Sequence, residues 1–536
     1  MSLREPPVRP GARWSAPPPA PRLGHRGVRL RRPLLAATGG VLLFAAHPPL
    51  DLGWIGAVAL VPLLALVRDV NASPRPVRAA LVWGLLAGMV FFLPLLTWVA
   101  RFGTAAWLLL ALVEATFVAG ALALVAAWGD RPWRGAVAVV AWVGAEALRS
   151  QVPLGGFPWG VLGYSQHGGG VFLPSARVVG VLGVSALLVA VAVCVEEMLA
   201  RRPWRTGWRW LRAPVGALAV LAALTAVLGV PAPPATGKRI DIAAVQGNDV
   251  ELPPVVDRTD TDRVQDVAQR MLSTTRRLGE AAEGPPEVTV WPENALDADP
   301  RQLPELAAIV TEAQRLLDGG TLIAGTLLDG SRPATFRNAM VQYGPGGTIA
   351  DVYVKRALVP FGEYVPWRSA LGALPPLRAI PRDGVPGGGP GVFEVGGTWV
   401  GTVLCYESIF PDLVGDQVRA GAQALVVSTN NASFGRTPAA RQHLAFSQLR
   451  AVETGRWVLQ AGISGISAVV APDGDVSQQT QLFEQAVVRA QLPLVTAATP
   501  YTRLGDVVGP AALAIAGAIA LWLLVVGRTR ARGGRL

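Results

Sequence analysis

Three residues carry the side chains of an acyl-transfer site: Glu293 in WPEN, Lys355 in VYVKRALVPFGEYVP and Cys405 in VLCYES. Each stands where a strand-like run of apolar and β-branched residues gives out, and strand ends are where α/β sheets place their sites. A cysteine is a good nucleophile only as the thiolate, so it needs a base or a positive charge beside it. A carboxylate can take the thiol proton. An ammonium can stabilise the thiolate and then the oxyanion of a tetrahedral intermediate. A helix start just after Cys405 would favour the thiolate further.

Each residue also has an ordinary structural reading. A lone buried cysteine is a small hydrophobe. Glu293 after Trp-Pro fits a turn or a helix cap, and Lys355 fits a solvated strand end. Composition argues against the last. The chain holds 46 arginines and two lysines, Lys238 and Lys355. Arginine serves wherever a bare positive charge is enough, whereas lysine offers a compact charge whose pKa shifts readily.

The elements that must position these residues alternate between strand and helix patterns over 231–508. RIDIAAVQGN, VTVWPEN, TLIAGTLL and ALVVSTN read as strands, and 258–280 and 302–317 as helices. MVQYG-PGG-TIADVYVK reads as a hairpin with a Gly-rich turn. GTWVGTVLCYES ends in a turn followed by a helix to about 420. The pattern predicts an α/β domain with helices packed on sheets. The stretch 366–391, rich in Pro, Gly and Leu, predicts a mobile apolar loop. Cys405 is alone in this domain, which excludes an internal disulfide, and Cys194 sits in an apolar run as a packing residue.

Charge divides the chain. Residues 231–508 hold 23 basic and 29 acidic residues, a net of −6, and the remainder holds 25 and 8, a net of +17. The arginines of the remainder cluster at the ends of apolar runs, which points to lipid headgroups and topology rather than to nucleic acid. The runs are 34–48, 53–67, 79–99, 105–128, 135–148, 176–200, 213–230 and 509–527. Three reach the ~20 residues of a spanning helix. Eight crossings with the N-terminus inside place 1–33, 68–78, 129–134, 201–212 and 528–536, with 22 arginines, in the cytoplasm. The opposite loops and helix ends hold Arg101, Arg149 and Arg177. That is the positive-inside pattern at every crossing. A cleaved signal peptide at 34–48 is the alternative for the first run.

The expected organisation is a disordered Arg/Pro-rich cytoplasmic tail (1–33), a membrane domain of seven transmembrane helices (34–230) and an extracytoplasmic domain (231–508). An eighth helix (509–527) and a basic cytoplasmic tail (528–536) follow. Glu114 and Glu146 lie inside apolar runs, where carboxylates are costly and often functional. Glu146 and Arg149 have the spacing to pair on one helix face.

The set Glu293, Lys355 and Cys405 resembles the Glu-Lys-Cys triad of the nitrilase (carbon-nitrogen hydrolase) superfamily. With the flanks WPEN, KRALVPFGEYVP, CYESIFPDL and STNNASFG, it resembles one branch, the apolipoprotein N-acyltransferases. WVGAEALRS and GGFPWGVLGYSQ resemble that family's loop before its sixth span, and the likeness runs from about residue 34 to 527. The resemblance implies an αββα sandwich on an eight-helix membrane base. It implies Glu293 as general base, Lys355 as oxyanion stabiliser and Cys405 as nucleophile, with Glu363, Tyr406 and Glu407 in support. Trp291, Asn338, Asn430 and Asn431 are further carry-overs that would touch substrate or shape the site, and Trp159 and Tyr164 would either line a lipid entrance or anchor at the interface.

The implied reaction passes an acyl chain from a phospholipid through a Cys405 thioester to the α-amine of a lipoprotein's diacylglyceryl-cysteine, with no metal and no cofactor. The implied location is the bacterial inner membrane. Two other readings stand beside it: a membrane-tethered amidase that releases its product to water, and a non-catalytic binding or transport protein.

Overall fold

The computed structural model describes residues 25–200, 212–249 and 261–533. Among the described residues, thirteen strands between positions 239 and 493 form two sheets. The first runs β13 (Ala486–Pro493), β1 (Arg239–Gln246), β2 (Val288–Leu296), β3 (Thr321–Asp329), β4 (Thr335–Tyr343), β5 (Ile349–Val354), with β6 (Asp383–Gly384) also on β4. The second runs β12 (Val476–Ser477), β11 (Ala468–Val470), β10 (Val458–Gly462), β9 (Ala424–Thr429), β8 (Thr398–Leu404), β7 (Gly391–Val395). The central pairs β1–β2, β2–β3, β8–β9 and β9–β10 are parallel.

Side chains alternate across each strand, so each sheet buries two faces. Ile240, Ile242, Val288 and Val290 of the first sheet meet Val400, Leu404, Ala424 and Val426 of the second. On the outer face of the first sheet, Ala243, Val245 and Trp291 pack under helices Thr261–Gly279 and Pro304–Leu316. Helix Thr261–Gly279 buries Val264, Val267, Ala268, Met271, Leu272, Thr275 and Leu278, one stripe of a 3.6-residue period. On the outer face of the second sheet, Val403, Leu425 and Val427 pack against helices Pro411–Arg419 and Ala439–Thr454. The result is the αββα sandwich that the resemblance implies.

The remaining helices are His25–Ala45, Val61–Val70, Pro76–Leu95, Thr104–Trp128, Arg134–Arg149, Ala176–Ala200, Arg212–Leu228 and Val508–Gly533. Among the described residues five segments are long and apolar enough to cross a membrane: 53–70, 76–95, 104–128, 173–200 and 508–526. Arg212–Leu228 is apolar but shorter. Helices Pro76–Leu95 and Thr104–Trp128 approach closely through small residues, Gly84 against Ala119 and Gly88 against Ala115. The bundle core continues into the sandwich: Ile409, Phe446, Leu449 and Val452 share one apolar cluster with the membrane helices. Helix Ala439–Thr454 is buried on all sides because it lies between the second sheet and the bundle.

Some boundaries differ from the sequence expectation. The first helix begins at His25, so 25–33 is helical rather than tail, and Arg32 within it donates to Asp69 at 2.7 Å. The rest of the expected disordered tail, 1–24, lies outside the described residues, as does most of the arginine-rich loop 201–212. The last helix runs on to Gly533 through most of the expected basic tail. The stretch 366–391 contains two short helical turns, Arg368–Leu371 and Pro375–Ala379, and β6, and Arg368 pairs with Asp383 at 2.5 Å.

Candidate active site

Glu293, Lys355 and Cys405 come together at the ends of β2, β5 and β8. Glu293 lies on a bulge: the β2–β3 register slips between Trp291 and Leu296, Pro292 has no N–H for the ladder, and Asn294 adopts φ 61°. Gly325 of β3 makes room for the bulge, because a Cβ there would sit 2.3 Å from the Pro292 carbonyl oxygen. Lys355 is the first residue past β5 and its N–H bonds the Asn338 carbonyl at 2.8 Å. Cys405 is the first residue past β8 and starts the short 3₁₀ turn Cys405–Ile409 with φ 45°. A left-handed cysteine costs about 1–3 kcal/mol and persists only where its surroundings enforce it.

Those surroundings are polar and fully buried. Glu407 accepts from the Tyr353 hydroxyl at 2.8 Å and from the N–H groups of Leu404 (2.8 Å), Arg356 (2.6 Å) and Ala357 (3.2 Å). It therefore ties the turn after Cys405 to the segment after Lys355. The Cys405 carbonyl accepts from the Ser408 hydroxyl (2.8 Å) and from His443 Nε2 (3.1 Å). Burial pushes His443 down to about 4, so its ring is neutral. The Thr429 hydroxyl lies 3.5 Å from Cys405 Sγ. Glu407→Gln puts an amide donor among these donors and is expected to destabilise the fold by about 1–3 kcal/mol. Denaturant unfolding of the purified protein measures that loss.

The charged centre is equally closed. Lys355 Nζ donates to Glu293 Oε1 at 2.9 Å and to Glu363 Oε1 at 3.1 Å. Asn338 Nδ2 bridges the same carboxylates at 2.8 and 2.7 Å. The Asn430 N–H donates to Glu293 Oε2 at 3.0 Å. Burial opposes charge on Glu293, but Lys355 and these donors outweigh it and hold the carboxyl below its usual range. Burial opposes charge on Lys355 too, and the two carboxylates outweigh it and hold the ammonium above its usual range. Burial, with Glu293 adding to it against the opposing pull of Lys355, pushes the Cys405 thiol up to about 12. The resting set is a carboxylate, an ammonium and a neutral thiol. Such a set can move one proton from sulfur to Glu293 as the sulfur attacks, leaving Lys355 as the local positive charge for an oxyanion.

Asn338 and Glu363 thus stand at the centre, and Asn430 joins through its backbone. Its side chain bonds Asn294 at 3.1 Å. Asn431 lies one layer back, accepting from Thr429 at 2.8 Å. Trp291 does not face the site: it is fully buried under helix Thr261–Gly279 and donates to Thr275 at 2.9 Å. Trp159 is not at an interface with lipid. It is buried between bundle and sandwich, donates to Gln442 at 2.8 Å and packs on Trp98 and Phe446. Tyr164 is likewise buried and donates to the Ile409 carbonyl at 3.0 Å. The spacing of Glu146 and Arg149 does not produce a pair. Glu146 accepts from Trp142 and the Leu162 N–H, and Arg149 reaches Glu114 at 3.2 Å.

A cavity of about 700 Å³ adjoins Tyr406, between Leu154, Val181 and Leu182 on the bundle side and Leu358, Phe410 and Leu413 on the sandwich side. Its size and mostly apolar wall suit a lipid-like ligand. No group of three or more metal-ligating side chains occurs among the described residues.

Residues 39–194 match the apolipoprotein N-acyltransferase N-terminal domain and residues 241–500 match the carbon-nitrogen hydrolase domain. An apolipoprotein N-acyltransferase of Mycolicibacterium smegmatis is 33% identical over 92% of this chain and 85% of its own. One from Geobacter metallireducens is 28% identical over 91% and 94%, and one from Allorhizobium ampelinum 31% over 87% and 91%. Among solved structures, an amidase of the nitrilase superfamily from Nesterenkonia AN1 is 20% identical, covering 51% of this chain and 96% of that one, with a TM-score of 0.33. With an N-acyltransferase membrane half, a carbon-nitrogen hydrolase half and full-length relatives above 30% identity, the chain belongs to the apolipoprotein N-acyltransferase family of bacterial membrane enzymes.

Proposed function

We propose that the enzyme N-acylates lipoproteins through a thioester on Cys405. The observation that carries this reading is the buried meeting of Glu293, Lys355 and a strained Cys405 in a chain of this family. In the first half-reaction Glu293 takes the thiol proton while sulfur attacks an ester carbonyl of a phospholipid. Lys355 faces the oxyanion. The carbon–oxygen bond then breaks, and Glu293 returns its proton to the leaving lysophospholipid. In the second, the neutral α-amine of a diacylglyceryl-cysteine attacks the thioester. Glu293 takes the amine proton and passes it to the departing Cys405 sulfur. Glu363 and Asn338 hold Lys355 and Glu293 in place, and neither step needs a metal or a cofactor.

Both substrates are lipid-anchored, so confinement of enzyme and substrates to one bilayer raises their effective concentration. An amidase that releases its product to water needs no membrane half, and a scaffold needs no base paired with a nucleophile; the family favours neither. The test is the mass of a lipoprotein N-terminus from cells with and without this protein: loss of one acyl chain without it supports the reading, and no change refutes it.

The arginine pattern supports eight crossings, adding His25–Ala45, Arg134–Arg149 and Arg212–Leu228 to the five longer segments. It puts 231–508 outside the inner membrane. A periplasm-dependent reporter fused after residue 240 is then expected to be active, and one fused after residue 530 silent. The reverse pattern contradicts this topology.

A further inference from the structure

Arg149 closes the membrane helix Arg134–Arg149, and its side chain is almost completely buried. Its Nη1 faces three acceptors at once: Glu114 at 3.2 Å, the Phe157 carbonyl at 3.0 Å and the Trp159 carbonyl at 2.8 Å. Its guanidinium also lies over the Phe92 ring, 5.5 Å from the centroid. Glu114 balances the charge from the neighbouring helix. The two carbonyls belong to a loop that reaches Tyr406, the neighbour of the nucleophile. Phe157 stacks on Trp159 (5.7 Å, 7°) and on Tyr406 (6.4 Å, 22°), and the Tyr406 hydroxyl donates to the Gly156 carbonyl at 2.7 Å. Gly156 has φ 89°, and a Cβ there would sit 2.1 Å from the Ser150 carbonyl carbon, so the loop has no slack beside the helix end. Tyr406 is the residue next to Cys405.

We infer that Arg149 is a positioning residue for the acyl-transfer reaction: it fixes the loop 156–159, through it Tyr406, and through Tyr406 the turn that aims Cys405. The physical case is that a guanidinium seated over the Phe92 ring holds its Nη1 against Glu114 and both carbonyls at once, a stacked placement that an ammonium does not reproduce. The buried contact with Glu114 makes that geometry costly to leave, because breaking it leaves the guanidinium without its partner in a low dielectric. The membrane bundle thereby sets the geometry of a nucleophile that belongs to the other half of the molecule.

This inference rests on Cys405 being the nucleophile, and the experiment separates the two. The full-length enzyme in phospholipid is compared as wild type, Arg149→Lys, Glu114→Gln/Arg149→Gln, and each with Tyr406→Phe. Acylation rate, the phospholipid concentration for half-saturation, Cys405 alkylation by iodoacetamide and Tm are measured. Arg149→Lys keeps a partner for Glu114, and the double variant removes both charges, so neither leaves an unpaired buried ion.

Acylation is expected to slow about 10- to 100-fold in both, as for a nucleophile displaced by a fraction of an ångström, at unchanged half-saturation. The loss is expected to shrink to about twofold in the Tyr406→Phe background, because contacts in one chain of interactions are not additive. Wild-type acylation rates in both variants overturn the inference, as does an equal loss in both backgrounds. A wild type that never acylates refutes the proposed function instead. The inference then stands or falls on whether alkylation of Cys405 changes with Arg149 in the same Tyr406-dependent way.

Discussion

Cys405→Ser is expected to abolish turnover of phospholipid and lipopeptide, with a loss on the order of 10⁴-fold or more, the scale seen when a covalent nucleophile is lost. The substitution changes one atom in a site whose neighbours already disfavour charge. The thiol is pushed up to about 12 by burial and by Glu293 beside it. A hydroxyl starts far above a thiol of pKa ~8.5, and Glu293, held below its usual range by Lys355, is too weak a base to ionise it. The serine still meets the Thr429 hydroxyl and keeps the backbone turn, so unfolding by heat or denaturant is expected to match the wild type. Turnover within tenfold of wild type, measured by transfer of a labelled acyl chain to a lipopeptide, would show that sulfur at this position does no covalent chemistry.

Lys355→Arg is expected to cost at least about 10²–10³ in rate, the usual loss when an oxyanion donor is removed. Charge is conserved, so the loss is geometric. The ammonium fits a fully buried point between Glu293 Oε1 and Glu363 Oε1 at 2.9 and 3.1 Å. A planar guanidinium is larger, spreads its charge over three nitrogens and cannot occupy that point without moving Asn338 or the bulge under Glu293. The rarity of lysine in this chain fits a position that only lysine can fill. Single-turnover acylation is the measurement. Near-normal rates in Lys355→Arg would reduce the residue to a supplier of local charge.

Much of this site is legible in the sequence because its residues interrupt apolar periodicity. Glu293, Lys355 and Cys405 each end a strand run, whereas Asn338 and Glu363 stand out only through the family resemblance. What is not legible depends on geometry that local pattern does not encode. Trp291 and Glu293, two apart, would share a face in a regular strand. The bulge at Pro292 separates them, sending Trp291 under a helix and Glu293 into the site. Glu146 and Arg149 have pairing spacing, yet Arg149 finds Glu114 and two carbonyls around the end of its helix. Thr429, Ser408 and His443 escape notice because nothing in their local sequence shows that they meet at Cys405. Trp159 and Tyr164 read as lining a lipid entrance or anchoring at the interface; the sandwich covers both, and Tyr164 lines the apolar cavity beside Tyr406. The sandwich itself is legible from alternating patterns, whereas helix ends such as His25 are not, since arginine serves equally in a tail and in a first turn.

The covalent intermediate tests the central claim most directly. Purified enzyme is mixed with phospholipid alone, digested, and the Cys405 peptide is weighed by mass spectrometry. The account predicts one acyl chain on Cys405, released by neutral hydroxylamine as a thioester and persistent in buffer. Adding a diacylated lipopeptide should discharge it onto the peptide's α-amine. Rapid loss to water as free fatty acid would make the protein a hydrolase. An acyl chain on Cys194, or on no cysteine, would contradict the account.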